Sequence, residues 1–243
     1  MILKIYYKDT KKMIQVNNFS NYILKDISLE IKEKNLIIIG SNGAGKTTLA
    51  KLIAGLIPTQ NIKINNINPS NIFTKSKTSL INYIPSSMDI FDEYISVYEY
   101  LKLSNLHTSK NIDEVLEYLD ILFLKDQLCK NLSSGQAQLV LCASSILHNA
   151  LYTIFDEPTS NLDPSKVKNI FKLLKDEINL QHKIIITHDL NLAYKLQYDI
   201  LFLDDGKIIF QGSNDKFFDE KNLENIFQNS VKKVQNNIVV DFV

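Results

Sequence analysis

Four mainly apolar runs stand out from the polar background of the chain and predict the centre of its fold. They cover residues 36–39, 151–155, 183–187 and 200–203. Unbroken apolar runs of this length are typical of strands that are buried on both faces of a parallel sheet. Segments with helical periodicity follow two of the runs, at 46–54 and 164–178. Strands that alternate with helices in this way predict an α/β core.

The segment before the first buried strand has a different pattern. Short β-like runs occur at 3–7, 13–16 and 27–31, and the last of them alternates with a period of two. Such alternation is typical of a half-buried antiparallel strand. We therefore expect an antiparallel sheet ahead of the core.

The middle of the chain changes from strand to helix. Residues 59–77 are polar and predict a short hairpin and a loop, and residues 80–85 predict a strand that a proline ends. From 86 to 132 the pattern is helical, and Asn111 with Glu114 makes a plausible capping pair for one of the helices. These features predict a helical insert between two parts of the core.

The end of the chain predicts a hairpin, a helix and a second pair of strands. Asp205-Gly206 lies between two apolar runs, which is a strong hairpin signal. A short helix is expected at 223–227, and strands at 231–234 and 238–242 are expected to pair across a polar turn.

The segment after the first buried strand carries a phosphate-binding motif. It fits the P-loop pattern G-x-x-x-x-G-K-[ST], with a strand before it and a helix after it. Backbone N–H groups of such a loop wrap a phosphate chain, and the N-terminus of the helix adds partial positive charge. We expect Lys46 to reach the β- and γ-phosphates and the Thr47 hydroxyl to ligate Mg²⁺. The predicted nucleotide-binding residues of this segment are Gly40, Ser41, Asn42, Gly43, Ala44, Gly45, Lys46, Thr47 and Thr48.

Composition narrows the class of protein. The 27 basic residues, all of them lysine, are balanced by 27 acidic ones, so we expect no nonspecific binding to nucleic acid or to a membrane surface. No apolar run approaches the ~18 residues of a membrane span, and the N-terminus does not resemble a signal peptide. We therefore expect a cytosolic protein that reaches the membrane only through a partner.

Two acidic residues follow the second buried strand. Asp156 and Glu157 stand at the edge where an α/β sheet presents its ligands. The first carboxylate is suited to hold Mg²⁺, and the second is suited to orient and polarise an attacking water. A surface acidic pair is the alternative, and the P-loop upstream favours the catalytic interpretation.

Two aromatic residues of the N-terminal segment, Phe19 and Tyr22, are candidates to stack on an adenine ring. The alternative is that both are ordinary core aromatics. Because aromatic side chains are more often buried than not, the core interpretation is favoured for each ring, and stacking on adenine stays open as the alternative.

With these motifs in place, the chain resembles the ATP-binding subunits of ABC transporters over nearly its whole length. Residues 40–47 match Walker A, and residues 154–157 match Walker B, whose last position is the catalytic glutamate. His188 matches the switch histidine, and Asp163 matches the aspartate of the D-loop. The signature motif LSGGQ is matched, with a serine in place of one glycine, by Leu132, Ser133, Ser134, Gly135 and Gln136.

The resemblance implies a fold as well as a site. The implied fold is α/β, a P-loop NTPase core with an antiparallel β-subdomain and an inserted α-helical subdomain. We expect a single domain over 1–243, with the core in 1–85 and 150–243. The helical subdomain, which includes the signature motif, is expected at 86–149.

The resemblance also implies partners. In the family, ATP and Mg²⁺ lie between the P-loop of one subunit and the signature motif of a second copy, in a head-to-tail dimer. Ser133 and the N–H groups at Gly135 begin a helix whose positive end can face a γ-phosphate there. Further implied partners are transmembrane permease subunits and a periplasmic or surface substrate-binding protein, which would place the chain on the cytoplasmic face of the membrane.

One position departs from the family pattern. The strand at 80–85 is followed in the family by a glutamine that contacts Mg²⁺ or the water and couples the site to the membrane subunit, whereas this chain has Ser86. A serine side chain is too short to reach as glutamine does. Three alternatives remain for the role of the glutamine: the loop shifts, Asp89 or another nearby group takes over, or water fills the gap.

The function expected from these features is ATP hydrolysis that powers a prokaryotic importer of the ABC type. The end of the chain resembles ATPases that serve importers of iron–siderophore complexes, haem or cobalamin, which favours a metal chelate as cargo. The alternatives are an exporter-type ATPase, a soluble ABC ATPase with no role in transport, and an inactive nucleotide-binding regulator. The presence of Lys46, Asp156, Glu157 and His188 argues against the last.

Overall fold

The computed structural model describes residues 13–32, 34–71, 74–89, 92–160, 162–175 and 179–241. The strand expected at 3–7 lies outside these ranges, as do the end of the helix expected at 164–178 and the end of the strand expected at 238–242. Within them, the strands are β1 (Met13–Phe19), β2 (Ile27–Lys32), β3 (Leu36–Gly40), β4 (Ile62–Ile64), β5 (Ile81–Ile84), β6 (Tyr152–Asp156), β7 (His182–Ile186), β8 (Asp199–Asp204), β9 (Lys207–Gly212), β10 (Val231–Val234) and β11 (Asn237–Val240). The α-helices are α1 (Lys46–Ile53), α2 (Thr74–Leu80), α3 (Val97–Ser104), α4 (Ile112–Tyr118), α5 (Ser134–His148), α6 (Pro164–Lys175), α7 (Leu190–Leu196), α8 (Asn214–Phe217) and α9 (Glu220–Phe227).

The central sheet confirms the predicted α/β core. Its six strands have the order β5-β6-β7-β3-β8-β9. The first five strands in this order are all parallel to one another, and the sixth, β9, is antiparallel to β8. Every residue of β3 and β6 is buried, as the unbroken apolar runs predict. The hairpin expected at Asp205-Gly206 joins β8 to β9, and both residues have the positive φ that such a tight turn needs.

The predicted antiparallel sheet is also present, and it has a third strand that the sequence did not assign to it. Its order is β2-β1-β4, and the burial of β2 alternates strictly between inside and outside. Strand β4 comes from the segment 59–77, in which only a short hairpin and a loop were expected, and it pairs antiparallel with β1. A tight turn at Asn65-Asn66, with φ values of 50° and 65°, provides the expected hairpin, since Ile64 bridges to Ile67.

Helix α2 was not predicted from the sequence. Its seven residues, TKSKTSL, have no periodic apolar positions, and its last residue, Leu80, was expected in the following strand. A helix of this composition and length has little intrinsic stability. Its structure therefore depends on contacts with the rest of the folded chain. Leu80 is buried in the core, and the Lys77 ammonium donates to the carbonyl oxygen of Gly55 at 2.7 Å.

The predicted helical insert contains α3, α4 and α5. Ser96 and Ser133 begin α3 and α5 with complete capping boxes, in which the side chain at the third helical position accepts a hydrogen bond from the backbone N–H of the cap. The cap expected at Asn111 begins α4, with its side chain accepting from Asp113 N rather than from Glu114. The three helices bury their apolar faces in one cluster with Phe155 and one face of the central sheet. A second cluster joins the other face of that sheet to α1 and the antiparallel sheet.

The end of the chain has the predicted helix and hairpin. Strands β10 and β11 pair antiparallel, and β11 contacts α7. The side chain of Asn191 on α7 accepts from Ile238 N at 2.8 Å and donates to Ile238 O at 2.9 Å. In the part of the chain that the structure describes, no helix has the length and apolarity that crossing a membrane requires.

Candidate nucleotide-binding site

The P-loop connects β3 to α1 and depends on glycine at positions of close approach. Gly45 stands directly before α1 with φ of 97°, in the left-handed region that favours glycine. A Cβ atom there would lie 2.8 Å from Leu24 Cδ2. At Gly40 a Cβ atom would lie 2.1 Å from the carbonyl oxygen of Leu203 on the neighbouring strand. These two positions fix the loop against β8 and the residues before β2.

Lys46 lies at the floor of this loop. Its Nζ donates to the carbonyl oxygens of Gly40 and Ser41, each at 2.9 Å. Burial lowers the pKa of the Lys46 ammonium, and the negative charges of Glu157 and Asp156 oppose that shift. The Lys46 side chain is thus held close to the loop backbone, and Glu157 and Asp156 favour its charged form.

The two carboxylate oxygens of Asp156 accept hydrogen bonds from different side chains. Asp156 ends β6 and is almost fully buried. Its Oδ1 accepts from the Thr47 hydroxyl at 3.2 Å, and its Oδ2 accepts from the Tyr83 hydroxyl at 2.7 Å. Burial and the hydrogen bond to Asp156 raise the pKa of Tyr83, so the phenol is a donor at neutral pH. The structure thus brings the ends of α1, β5 and β6 together at one carboxylate.

Glu157 and His188 form the next pair. Glu157 has φ of 51°, an uncommon backbone conformation for glutamate. Its amide N–H donates to the carbonyl oxygen of Ile186 at 2.9 Å, which holds it beside β7. The Glu157 Oε2 and His188 Nδ1 atoms are 2.9 Å apart. The helix after His188 is capped by Asp189, whose side chain accepts from two N–H groups of α7.

A cleft of about 410 Å³ opens above the P-loop. Four parts of the chain contribute to it: the residue after Tyr22, the loop, the start of α1 and the residue after β6. Its lining residues are Ile23, Asn42, Gly43, Gly45, Lys46, Thr47, Thr48 and Glu157. This volume is within the usual range of small-molecule sites. In the described ranges no group of three or more His, Cys, Asp or Glu side chains comes together to hold a metal ion.

The two candidate aromatics have opposite surroundings. Phe19 is 8 % exposed and belongs to the core beneath the antiparallel sheet. Its ring therefore has little surface to offer a base, because it is packed against its own chain. Tyr22 is 92 % exposed and directly precedes Ile23, which lines the cleft.

The predicted signature segment lies at a different cleft, of about 320 Å³. Leu132 and Ser134 line it together with Ser86 and Ser160, and no residue of 132–136 is among those described that line the P-loop cleft. Ser133 caps α5, with Gln136 completing the capping box. Gly135 is buried against a neighbouring segment, because a Cβ atom there would lie 3.2 Å from Leu162 Cδ2 and 3.3 Å from Lys166 Nζ.

The remaining predicted positions lie near this second cleft or on the surface. The Asp163 carboxylate is exposed and pairs with Lys166 at 3.2 Å. Ser86 is exposed at the rim of the second cleft, and Asp89 is exposed outside it. Neither Ser86 nor Asp89 lines the P-loop cleft.

Tyr83 is the site residue that sequence reasoning missed. It stands in the strand expected at 80–85, where an aromatic residue is ordinary. Its contact depends on which strands are neighbours. In the parallel pairing of β5 with β6, Tyr83 is opposite Ile154, so Asp156 is the next residue on the same face.

The fold and the arrangement of these residues define a P-loop protein with the architecture of ABC ATPase cassettes. Among solved structures, the chain is similar to cbiO1 of Clostridium perfringens, described as part of the ABC transporter complex cbiONQ. The TM-score is 0.72 at 26 % identity, and the match covers 90 % of this chain and 95 % of that one.

Sequence comparisons identify the family. The model of the ABC transporter family matches residues 24–160. The chain is 36 % identical to the energy-coupling factor transporter ATP-binding protein EcfA1 of Fusobacterium nucleatum, over 94 % of this chain and 93 % of that protein. It is 31 % identical to a probable iron chelatin transport ATP-binding protein of Helicobacter pylori, over 94 % and 98 % of the two chains. The chain belongs to the ABC transporter family, among its ATP-binding proteins.

Proposed function

We propose that this protein binds and hydrolyses ATP to power an ABC membrane transporter, and that the transporter is an importer. The observation that carries the proposal is the convergence of Lys46, Thr47, Asp156, Glu157 and His188 around the P-loop cleft. A phosphate-binding cation, hard oxygen ligands and a carboxylate with a histidine partner are the groups that phosphoryl transfer to water requires.

The residues of the cleft have separate roles in the proposed reaction. The loop N–H groups and Lys46 bind the β- and γ-phosphates of ATP, and the exposed ring of Tyr22 stacks on the adenine. Glu157 accepts a proton from the attacking water, whose oxygen forms the new bond to the γ-phosphorus as the bond to ADP breaks. His188 holds the Glu157 carboxylate, with its Nδ1–H donating when the proton is on that nitrogen, and it contacts the γ-phosphate.

The oxygen donors of the cleft fit Mg²⁺. Thr47 Oγ1 and Asp156 Oδ1 are 3.2 Å apart, and both are hard ligands of the kind that Mg²⁺ prefers. Mg²⁺ is commonly bound by one or two protein oxygens together with substrate phosphates, so a larger cluster of acidic ligands is not required. When bound, the ion neutralises the charge of the β- and γ-phosphates.

Membership of the family supports the partners that we propose. The relatives are ATP-binding proteins of an energy-coupling factor transporter and of iron chelatin transport, which supports an importer and a metal chelate as one class of cargo. We infer that two copies of this chain associate head to tail, that the pair binds transmembrane permease subunits at the cytoplasmic face of the membrane, and that a substrate-binding protein delivers the cargo from the other side.

Glu157→Gln tests the enzymatic part of the proposal. This substitution keeps the size of the side chain and removes its basicity, so ATP binding should persist while turnover falls about 10²- to 10⁴-fold, the usual contribution of a positioned base. Phosphate release measures turnover, and a fluorescent ATP analogue measures binding. Glu117→Gln is the matched control, because Glu117 is exposed on α4 and should leave both unchanged. Wild-type turnover of Glu157→Gln would assign the base to another group.

Co-purification tests the transport part. The chain is expressed with the membrane proteins of its own source and purified in detergent through a tag on this chain. A membrane protein with several spans should be retained, and its reconstitution should raise the ATPase rate. Retention of soluble proteins alone would support the alternative of a non-transport ATPase.

A further inference from the structure

The Tyr83 hydroxyl is a contact of the site that no sequence motif contains. It donates to Asp156 Oδ2 at 2.7 Å. This is the shorter of the two hydrogen bonds that the Asp156 carboxylate accepts from described side chains. Thr47 occupies the other oxygen. Because a carboxylate with one fixed partner can still rotate about its last bond, the second partner determines its orientation.

Packing holds the phenol in place. The Tyr83 ring is half-buried and lies against the core cluster that contains β3, α1 and β6. Tyr83 stands opposite Ile154 in the pairing of β5 with β6, so that its side chain and that of Asp156 are diagonal neighbours on one face. An aromatic side chain is long enough to span that diagonal. The donor is therefore delivered by a strand rather than by a flexible loop.

We propose that Tyr83 is a positioning residue for Mg²⁺, which holds Asp156 in the orientation that leaves its Oδ1 edge beside Thr47 for the metal. This inference rests on the proposed function, since it concerns the ion that accompanies ATP. Outer partners that orient a ligating carboxylate strengthen metal binding without touching the metal.

The test removes one oxygen atom. Tyr83→Phe keeps the ring and its packing but loses the donor. Mg²⁺ is titrated calorimetrically into the full chain bound to a non-hydrolysable ATP analogue, and binding of the analogue is measured separately without metal. We expect the Mg²⁺ affinity to fall about 10- to 100-fold, the usual effect of losing an outer partner. The affinity for the metal-free analogue should not change.

The matched control is Tyr198→Phe. The Tyr198 hydroxyl donates to the carbonyl oxygen of Leu174 at 2.6 Å, away from the P-loop cleft. Its loss should leave the Mg²⁺ affinity unchanged. A folded Tyr83→Phe protein with wild-type Mg²⁺ affinity would overturn the proposal, whereas a wild-type chain that binds neither analogue nor metal would overturn the proposed function instead.

A double mutant tests the route of the effect. If Tyr83 acts only through the Asp156 carboxylate, Tyr83→Phe should cause no further loss of Mg²⁺ affinity in an Asp156→Asn background. Additive losses would show that Tyr83 acts through another group, and they would overturn its assignment as the residue that orients Asp156.

Discussion

At the scale of the residue, Lys46 is where nucleotide affinity should be concentrated. Its ammonium is held by two carbonyl oxygens of the P-loop, so it is positioned before any phosphate arrives, and the chain has no arginine to replace it. Lys46→Ala should abolish tight ATP binding, as measured by titration with a fluorescent analogue. Lys51→Ala, on the exposed side of the same helix, should bind normally. Full affinity in a folded Lys46→Ala protein would contradict the P-loop assignment.

Ser86 poses the second question at this scale. It is exposed at the rim of the second cleft, and Asp89 is exposed outside it, so water is the better candidate to fill the space of the absent glutamine. We expect Ser86→Gln to keep or raise the Mg²⁺-dependent ATPase rate and Asp89→Ala to change it little. The rates of both variants, with and without the membrane partner, check this. If Asp89→Ala lowered hydrolysis by about tenfold or more, on the scale of a lost charge-assisted contact, Asp89 would have the role.

Single residues differ in how far sequence alone could place them. Lys46 and Thr47 could be placed because the glycine spacing dictates the loop, and Asp156 because it ends an apolar strand. The Tyr83 hydroxyl could not, because its contact exists only when β5 is adjacent to β6 in one register. Phe19 and Tyr22 looked equivalent in the sequence, and only the three-dimensional packing distinguishes the buried ring from the exposed one.

At the scale of the element, the C-terminal hairpin should depend on one side chain. Asn191 hydrogen-bonds both backbone groups of Ile238, which is 5 % exposed. Asn191→Ala leaves those groups without their partner and should cost about 1–3 kcal/mol of local stability. Hydrogen exchange of the amides in 231–240 should accelerate, because detached segments exchange first.

The control for this prediction is Asn169→Ala. Asn169 on α6 also donates to a backbone carbonyl, that of Leu119, but it has no contact with the hairpin. Its loss should leave exchange in 231–240 unchanged. Equal protection of the hairpin in wild type and Asn191→Ala would show that apolar packing of Ile238 alone holds it.

Elements with a strong periodicity of apolar residues could be predicted from the sequence, and elements without one could not. The buried strands of the central sheet and the alternating β2 follow directly from their apolar patterns. Helix α2 has no such pattern, and β4 is only three residues long within a polar stretch. Their structures are determined by the strands and helices that they contact, which a local pattern does not contain. The order of strands in the sheet is likewise a property of the assembled fold.

At the scale of the whole molecule, the two clefts are separate. Among the described residues, none lines both the cleft at the P-loop and the cleft at the signature segment. In the composite site that we propose, one copy would supply the P-loop cleft and the other would supply the helix start at Ser133, which does not line the P-loop cleft of its own chain. This arrangement makes a prediction about mixtures of defective chains.

Lys46→Ala damages the P-loop, and Gly135→Asp adds a carboxylate in the first turn of α5, where in a composite site it would repel the γ-phosphate bound by a second copy. Neither variant alone should hydrolyse ATP. In a head-to-tail heterodimer both lesions fall in one site and the other site is intact, so an equal mixture should recover roughly a quarter of wild-type activity, because half of the dimers are mixed and each has one working site. Phosphate release measures the recovery.

Mixing Lys46→Ala with a chain that carries both substitutions is the control, since no intact site can form and no activity should return. A lack of recovery in the first mixture, with heterodimers demonstrated by differently tagged chains, would show that the signature segment does not act on the nucleotide of a second copy.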